Sequence, residues 1–253
     1  MSTDQSVPTA GPAGPPAPAA AQQQRIISIP VNVTEVMLNL TAGDDPKLFH
    51  ALGQVASFPE LANDPEIMAI VTRTLCTYRC AVRFPWQHLQ VLLASTVAPQ
   101  PDTLVAVKFL VGHGDVAVKG QALRVLGRHG GGDPQNRNMI GSFVVEAPDR
   151  KPEAMIGAVE ALGDATADLN QTLEDLLRAA QHAWDYFRDN GNQDWIRRTV
   201  YSAMAKVLAR VSVVPEWLYH RLFTELNVSD NCPNGEVKEA AKAAREALVS
   251  KKP

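Results

Sequence analysis

From residue 34 onward, apolar side chains recur at intervals of three and four. Leu48, Leu52 and Val55 form one such set, and Ile140, Phe143 and Val144 another. That spacing puts each set on one helix face. The starts of the periodic runs are marked. Asp45-Pro46, Asp64-Pro65 and Asp133-Pro134 each place a capping acid before a proline at the first helical position, and Pro85, Pro101, Pro152 and Pro215 suit the same first-turn role. Pattern and punctuation together predict helices over 46–57, 64–82, 85–95, 102–112, 115–128, 134–146, 152–163, 169–189, 193–211, 215–226 and 235–250. No hairpin signal and no βαβ alternation occurs after residue 33. Before it, Arg25–Val33 (RIISIPVNV) alternates apolar and polar residues around Pro30 and reads as a short extended strap. Residues 1–24 hold five prolines and almost no large apolar side chain, the composition of a disordered Ala/Pro-rich leader. The expected division is leader 1–24, strap 25–33 and helical domain 34–253.

The stretch GQALRVLGRHGGGDP, Gly120–Pro134, tests the helical reading. Glycines that cradle a phosphate stand ahead of a helix, where free amides and the positive dipole end meet the anion. Here Gly127 and Gly130–Gly132 follow the periodic run Val116–Leu126. They therefore read as breakers at its C-terminus, with Arg128 and His129 complementing the negative helix end and Asp133-Pro134 opening the next helix.

Four segments share a pattern: VKGQALRVLG from Val118, AMIGAVEALG from Ala154, IRRTVYSAMA from Ile196 and VKEAAKAARE from Val237. Each places a small or branched apolar residue four positions after another, at Ala122, Ala158, Val200 and Ala241. Three carry a basic residue immediately after the first: Lys119, Arg197 and Lys238. The copies lie about 40 residues apart, enough for one further helix per interval. Period and pattern resemble HEAT repeats, most closely at Asp115–Gly127, over roughly residues 97–250 and more loosely 44–95. Met155 stands where the basic residue would be, and the third copy has tyrosine and serine where alanine is usual. The resemblance implies an all-α fold, a right-handed superhelical array of antiparallel helix pairs, and a scaffold that binds partners along a curved surface.

Composition narrows the picture. The 253 residues are 45% hydrophobic and 20% charged, with a formal net charge of −3. No global field draws such a chain to nucleic acid or anionic lipid. Three cysteines and no secretory or membrane-spanning apolar run point to a reducing, cytoplasmic setting. Cys76 and Cys80, four apart with His88 beyond, match no common zinc spacing and lack a fourth ligand, so they read as packing residues. No nucleophile has a visible base. Neither a metal nor a cofactor is expected, nor catalysis.

The segment Ala183–Arg198 (AWDYFRDNGNQDWIRR) is chemically the richest. Its Trp195-Ile196-Arg197-Arg198 is similar to the W-x-R-R element of alkylpurine DNA glycosylases, a HEAT-like group. The chain departs from that group in its net charge and in the missing upstream aspartate helix. The aromatics then read as filling between two long helices.

Charge is laid out in blocks: ten basic against five acidic residues in 73–151, two against nine in 152–194, ten against six in 195–253. Neighbours in a solenoid's sequence are neighbours in space. The second helices of three successive units would thus present basic, acidic and basic stripes: Lys119, Arg124 and Arg128; then Glu153 and Glu160; then Arg197, Arg198 and Lys206. Trp195 is the candidate aromatic anchor. The sequence favours a non-enzymatic protein-binding or assembly scaffold using this face. Two alternatives stand beside it: nucleic-acid binding through Arg124, Arg128, Arg197 and Arg198, and a self-assembling coat or nucleocapsid-like subunit.

Overall fold

A computed structural model describes residues 31–77, 83–145, 151–186 and 192–251. The leader, most of the strap, Cys80 and the Asn190-Gly191 turn lie outside the described residues. Among those described there are thirteen α-helices and no strand. They are α1 (Val33–Thr41), α2 (Asp45–Ser57), α3 (Pro59–Ala62), α4 (Pro65–Thr77), α5 (Pro85–Ala94), α6 (Pro101–Val111) and α7 (Val116–Gly130). There follow α8 (Pro134–Val145), α9 (Pro152–Asp164), α10 (Leu169–Tyr186), α11 (Gln193–Arg210), α12 (Glu216–Val228) and α13 (Gly235–Val249).

Local chemistry explains the starts. Asn32, Asp44, Asp115 and Asn234 each cap the helix that follows by accepting from its first-turn amides. Proline occupies the first turn of α2, α3, α5, α6 and α9. Two helices lie outside the predicted spans, α1 and the short α3. The latter is one turn seated by Pro59, with Leu61 and Ala62 buried.

The helices of Asn32–Pro253 pair as α1/α2, α4/α5, α6/α7, α8/α9, α10/α11 and α12/α13. The second members, α2, α5, α7, α9, α11 and α13, pack side by side in one row, each on the next. This is the helical-repeat solenoid that the pattern implied, with six helix pairs among the described residues. Ion pairs join successive units. Arg83 pairs with Asp45, Arg124 with Glu160, Arg198 with Glu236, and Lys206 with Asp164.

The row is tightest between α7 and α9, where small residues let two backbones meet. Gly120 lies against Gly157, and a Cβ on Gly120 would stand 2.7 Å from the Glu153 carbonyl oxygen. A Cβ on Gly127 would stand 2.6 Å from Ala161 Cβ and closer still to that residue's Cα and carbonyl oxygen. This corrects the reading of Gly127 as a breaker. The helix runs through it to Gly130, because the gain from close packing outweighs its weak helix propensity of about 1 kcal/mol. The same contact continues where Gly131 accepts hydrogen bonds from the amides of Thr166 and Ala167, both at 3.0 Å, closing the C-terminus of α7.

Two buried polar clusters tie neighbouring units together. Arg137 of α8 pairs with Asp175 of α10, its Nε donating to Thr172 Oγ1 at 3.1 Å, and both charged side chains are buried. Gly141 makes room, since a Cβ there would lie 2.5 Å from Asp175 Oδ2. The second cluster surrounds Arg197.

Candidate functional site

An open groove of about 570 Å³ runs across the exposed face of four consecutive second helices. Gln90 and Leu93 of α5 form one end. Gln121, Arg124 and Arg128 of α7 come next, then Glu160 and Asp164 of α9. Arg198, Ser202 and Lys206 of α11 form the far end. Helical spacing of three and four explains each set: Gln121, Arg124 and Arg128 share one face of α7, Glu160 and Asp164 one face of α9, and Arg198, Ser202 and Lys206 one face of α11. The opposite faces carry the core, Leu123 and Leu126 on α7 and Val200 and Met204 on α11.

The electrostatics are a lattice of exchanged partners. Glu160 is met by Arg124 from one side of α9, and Asp164 by Lys206, at 3.1 Å, from the other. Arg128 donates to the carbonyl oxygen of Leu93, and His129 Nε2 lies 2.8 Å from that of Leu92. Basic residues complement a negative helix end here, but it is the end of α5 rather than of their own helix. Arg210 repeats the device one unit pair later, donating to the carbonyls of Gly163 and Asp164 at the end of α9. Burial lowers the His129 pKa below its ordinary value, against the opposing effect of the Leu92 carbonyl. His129 is therefore neutral at pH 7, and Arg128 supplies the charge at this helix end.

The six residues singled out from the sequence fall into four places. Arg124, Arg128 and Arg198 line the groove together. Lys119 turns away toward α8, its Nζ 6.0 Å from the centre of the Phe143 ring. Trp195 is 43% exposed and lines a smaller cleft of about 290 Å³ beside Asp194, Asn234 and Glu236; Arg198 borders both cavities.

Arg197 is a correction. It is only 1% exposed and is a core residue, not a surface cation. Its guanidinium carbon sits 4.0 Å from the centre of the Trp184 ring and 5.6 Å from that of Tyr201. Its nitrogens donate to Tyr201 Oη at 3.2 Å, Ser229 Oγ at 3.0 Å and Cys232 Sγ at 3.6 Å. Tyr201 in turn donates to Glu225 at 2.7 Å, and burial together with the Glu225 charge raises its phenol pKa. The position follows from spacing: Arg197 stands three, four and seven residues before the buried Val200, Tyr201 and Met204. The Trp-Ile-Arg-Arg tetrad thus splits, its first arginine tying α11 to Trp184 of α10 and to the turn after α12.

Gln90, Leu93, Gln121 and Asp164 belong to the groove and were not singled out. Asp164 had a signal, four residues after Glu160. The neutral residues had none. Gln121 is 4% exposed and its Oε1 has no hydrogen-bond partner. Cys76 Sγ donates to the Asp102 carbonyl oxygen at 3.7 Å. His88 is buried, 2.9 Å from Thr74 Oγ1 and 3.1 Å from the Phe84 carbonyl, and burial lowers its pKa. Among the described residues no three His, Cys, Asp or Glu side chains gather as metal ligands, and no helix is long and apolar enough to cross a membrane.

No family model matches the chain, and no curated protein does. Solved structures resemble it in fold. One is an engineered protein from a structural genomics consortium, 14% identical, with a TM-score of 0.56 over 88% of this chain and 98% of its own. Another is a designed armadillo repeat protein in complex with the peptide (KR)4, 13% identical, with a TM-score of 0.53 over 86% of this chain and all of its own.

Proposed function

We propose that this protein is a non-enzymatic binding scaffold that holds a protein partner on the exposed face of its second helices. The observation carrying this reading is the groove across α5, α7, α9 and α11, to which three successive units contribute charged side chains. A rigid row with regularly spaced polar groups suits an extended ligand that touches several units in turn. The designed armadillo protein, built on a similar fold, holds a peptide. That likeness supports binding in general and leaves the ligand chemistry to this chain's own residues.

Nucleic acid is the weaker reading. Arg197, one of its four proposed contacts, is in the core, and the remaining three share the groove with Glu160 and Asp164. End-to-end assembly through α13 is also weaker. The outer face of that helix carries Lys238, Glu239, Lys242 and Glu246, a charged surface of the kind that caps a repeat array.

The test is selection from a randomised peptide display library on the full chain, counter-screened with Ser202→Trp. Ser202 is exposed in the middle of the α11 stripe, so the substitution fills the groove without touching the core. Binders that the variant no longer retains are the expected result. A library whose binders are retained equally by both proteins overturns the reading.

A further inference from the structure

We infer that the groove selects an extended acidic peptide of about eight or nine residues, with two acidic side chains about six positions apart and a neutral or basic centre. This rests on the reading of the second-helix face as the binding surface and adds the chemistry of what it binds.

Charge comes first. The lining contains four cations, Arg124, Arg128, Arg198 and Lys206, against two carboxylates, Glu160 and Asp164. Both carboxylates are already engaged, by Arg124 and Lys206. Arg128 is held by a neutral carbonyl, and the Glu236 partner of Arg198 is a 73% exposed side chain on α13, outside the groove. The surplus in the groove is positive and flanks the acidic helix α9, on α7 and α11. A basic peptide such as the one carried by the designed armadillo protein would meet four cations here.

Spacing sets the length. Packed helices lie about 8–10 Å apart, so the three steps from α5 to α11 span about 24–30 Å. An extended peptide advances about 3.3 Å per residue and covers that span in about eight or nine residues. The two steps between the basic flanks, about 16–20 Å, fit acids about six residues apart, the even spacing that keeps both side chains on one face of the extended chain. Between them the ligand crosses Glu160 and Asp164, where a third acid would be repelled and a lysine would compete for a carboxylate. On the α7 flank, Gln121 offers an amide whose oxygen is unpartnered, chemistry suited to a backbone rather than to another charge.

The experiment uses synthetic nonapeptides on the full chain, read by fluorescence anisotropy at low salt. One carries glutamates six apart around a central lysine, one the same residues with the glutamates adjacent, and one the charge-reversed sequence. The spaced acidic peptide should bind about tenfold tighter than the adjacent version and weaken as salt rises. Ser202→Trp should abolish the difference, and Arg198→Glu with Lys206→Glu should weaken the spaced peptide about tenfold. A preference for the charge-reversed peptide that Ser202→Trp abolishes overturns the acidic assignment but leaves the groove as a binding face. Equal binding of all three peptides overturns the spacing rule. No binding of any peptide, together with a display library yielding no groove-dependent binder, overturns both the inference and the reading beneath it.

Discussion

Replacing Gly127 by alanine should destabilise the protein even though alanine is the better helix former. The position lies within α7, where alanine alone would add about 1 kcal/mol of helix stability. Its new methyl would sit 2.6 Å from Ala161 Cβ, against an ordinary contact of 3.4 Å or more, and closer still to backbone atoms of α9. The helices would have to part by at least 0.8 Å along their closest line of approach. The obstacle is backbone, which has no rotamer to yield, so the overpacking penalty belongs near the upper end of its range, about 3 kcal/mol. The net loss is about 2 kcal/mol, a fall in Tm of about 4–8 °C for a domain of this size. Gly53→Ala is the matched control. It lies in α2 with nothing within 4 Å of a new Cβ, so it should stabilise by about 0.5–1 kcal/mol. Thermal and urea unfolding followed by far-ultraviolet circular dichroism compares both with wild type. If Gly127→Ala raises Tm as Gly53→Ala does, the backbone-to-backbone seating of α7 on α9 is wrong.

Arg137→Ala leaves Asp175 buried without its partner and should lower stability by about 3–5 kcal/mol in urea unfolding. The two arginines of the Trp-Ile-Arg-Arg tetrad should behave oppositely. Arg197→Glu buries an acid against Trp184 and near Glu225 and should cost more than about 3 kcal/mol, whereas the exposed Arg198→Glu should stay within about 1 kcal/mol of wild type. His88 and His129 both have lowered pKa values through burial, so the unfolded chain binds protons that the folded chain refuses. Stability is then complete above the unfolded value of about 6.5 and falls as pH drops below it. Urea midpoints at pH 7 and pH 5 should show that fall, and His88→Gln should reduce it; an unchanged slope in the variant refutes the assignment.

Much of the fold could be read from the chain because helix starts are written in local chemistry. A capping acid before proline works through the nearest few amides, and the runs it opens appear within a residue or two of their expected places. What escaped was decided between helices. Gly127 looks like a terminator to any local rule, and only the backbone of α9 explains why the helix continues through it. The basic stripe of α7 was legible because i, i+4 spacing fixes a shared face, as at Arg124 and Arg128; of the acidic pair Glu153 and Glu160 only Glu160 lines the groove, where Asp164 joins it. The charge of Arg197 points to the surface, and its register points to the core. Counting from Val200, Tyr201 and Met204 puts it on the apolar face of α11, while Arg198 falls in line with Ser202 and Lys206. Gln90, Leu93 and Gln121 carry no chemical signal in isolation and become groove residues only when four units are stacked.

Side-chain footprinting by hydroxyl radicals, with and without a saturating peptide selected from the display library, addresses the binding face most directly. Leu93, Lys206 and Arg198 line the groove, while Phe109 on α6 and Trp217 on α12, 60% and 53% exposed, lie on first helices. The account predicts that bound peptide protects the groove residues and leaves Phe109 and Trp217 labelled as in the free protein. Protection of Phe109 or Trp217 with Leu93 and Lys206 unchanged would contradict it.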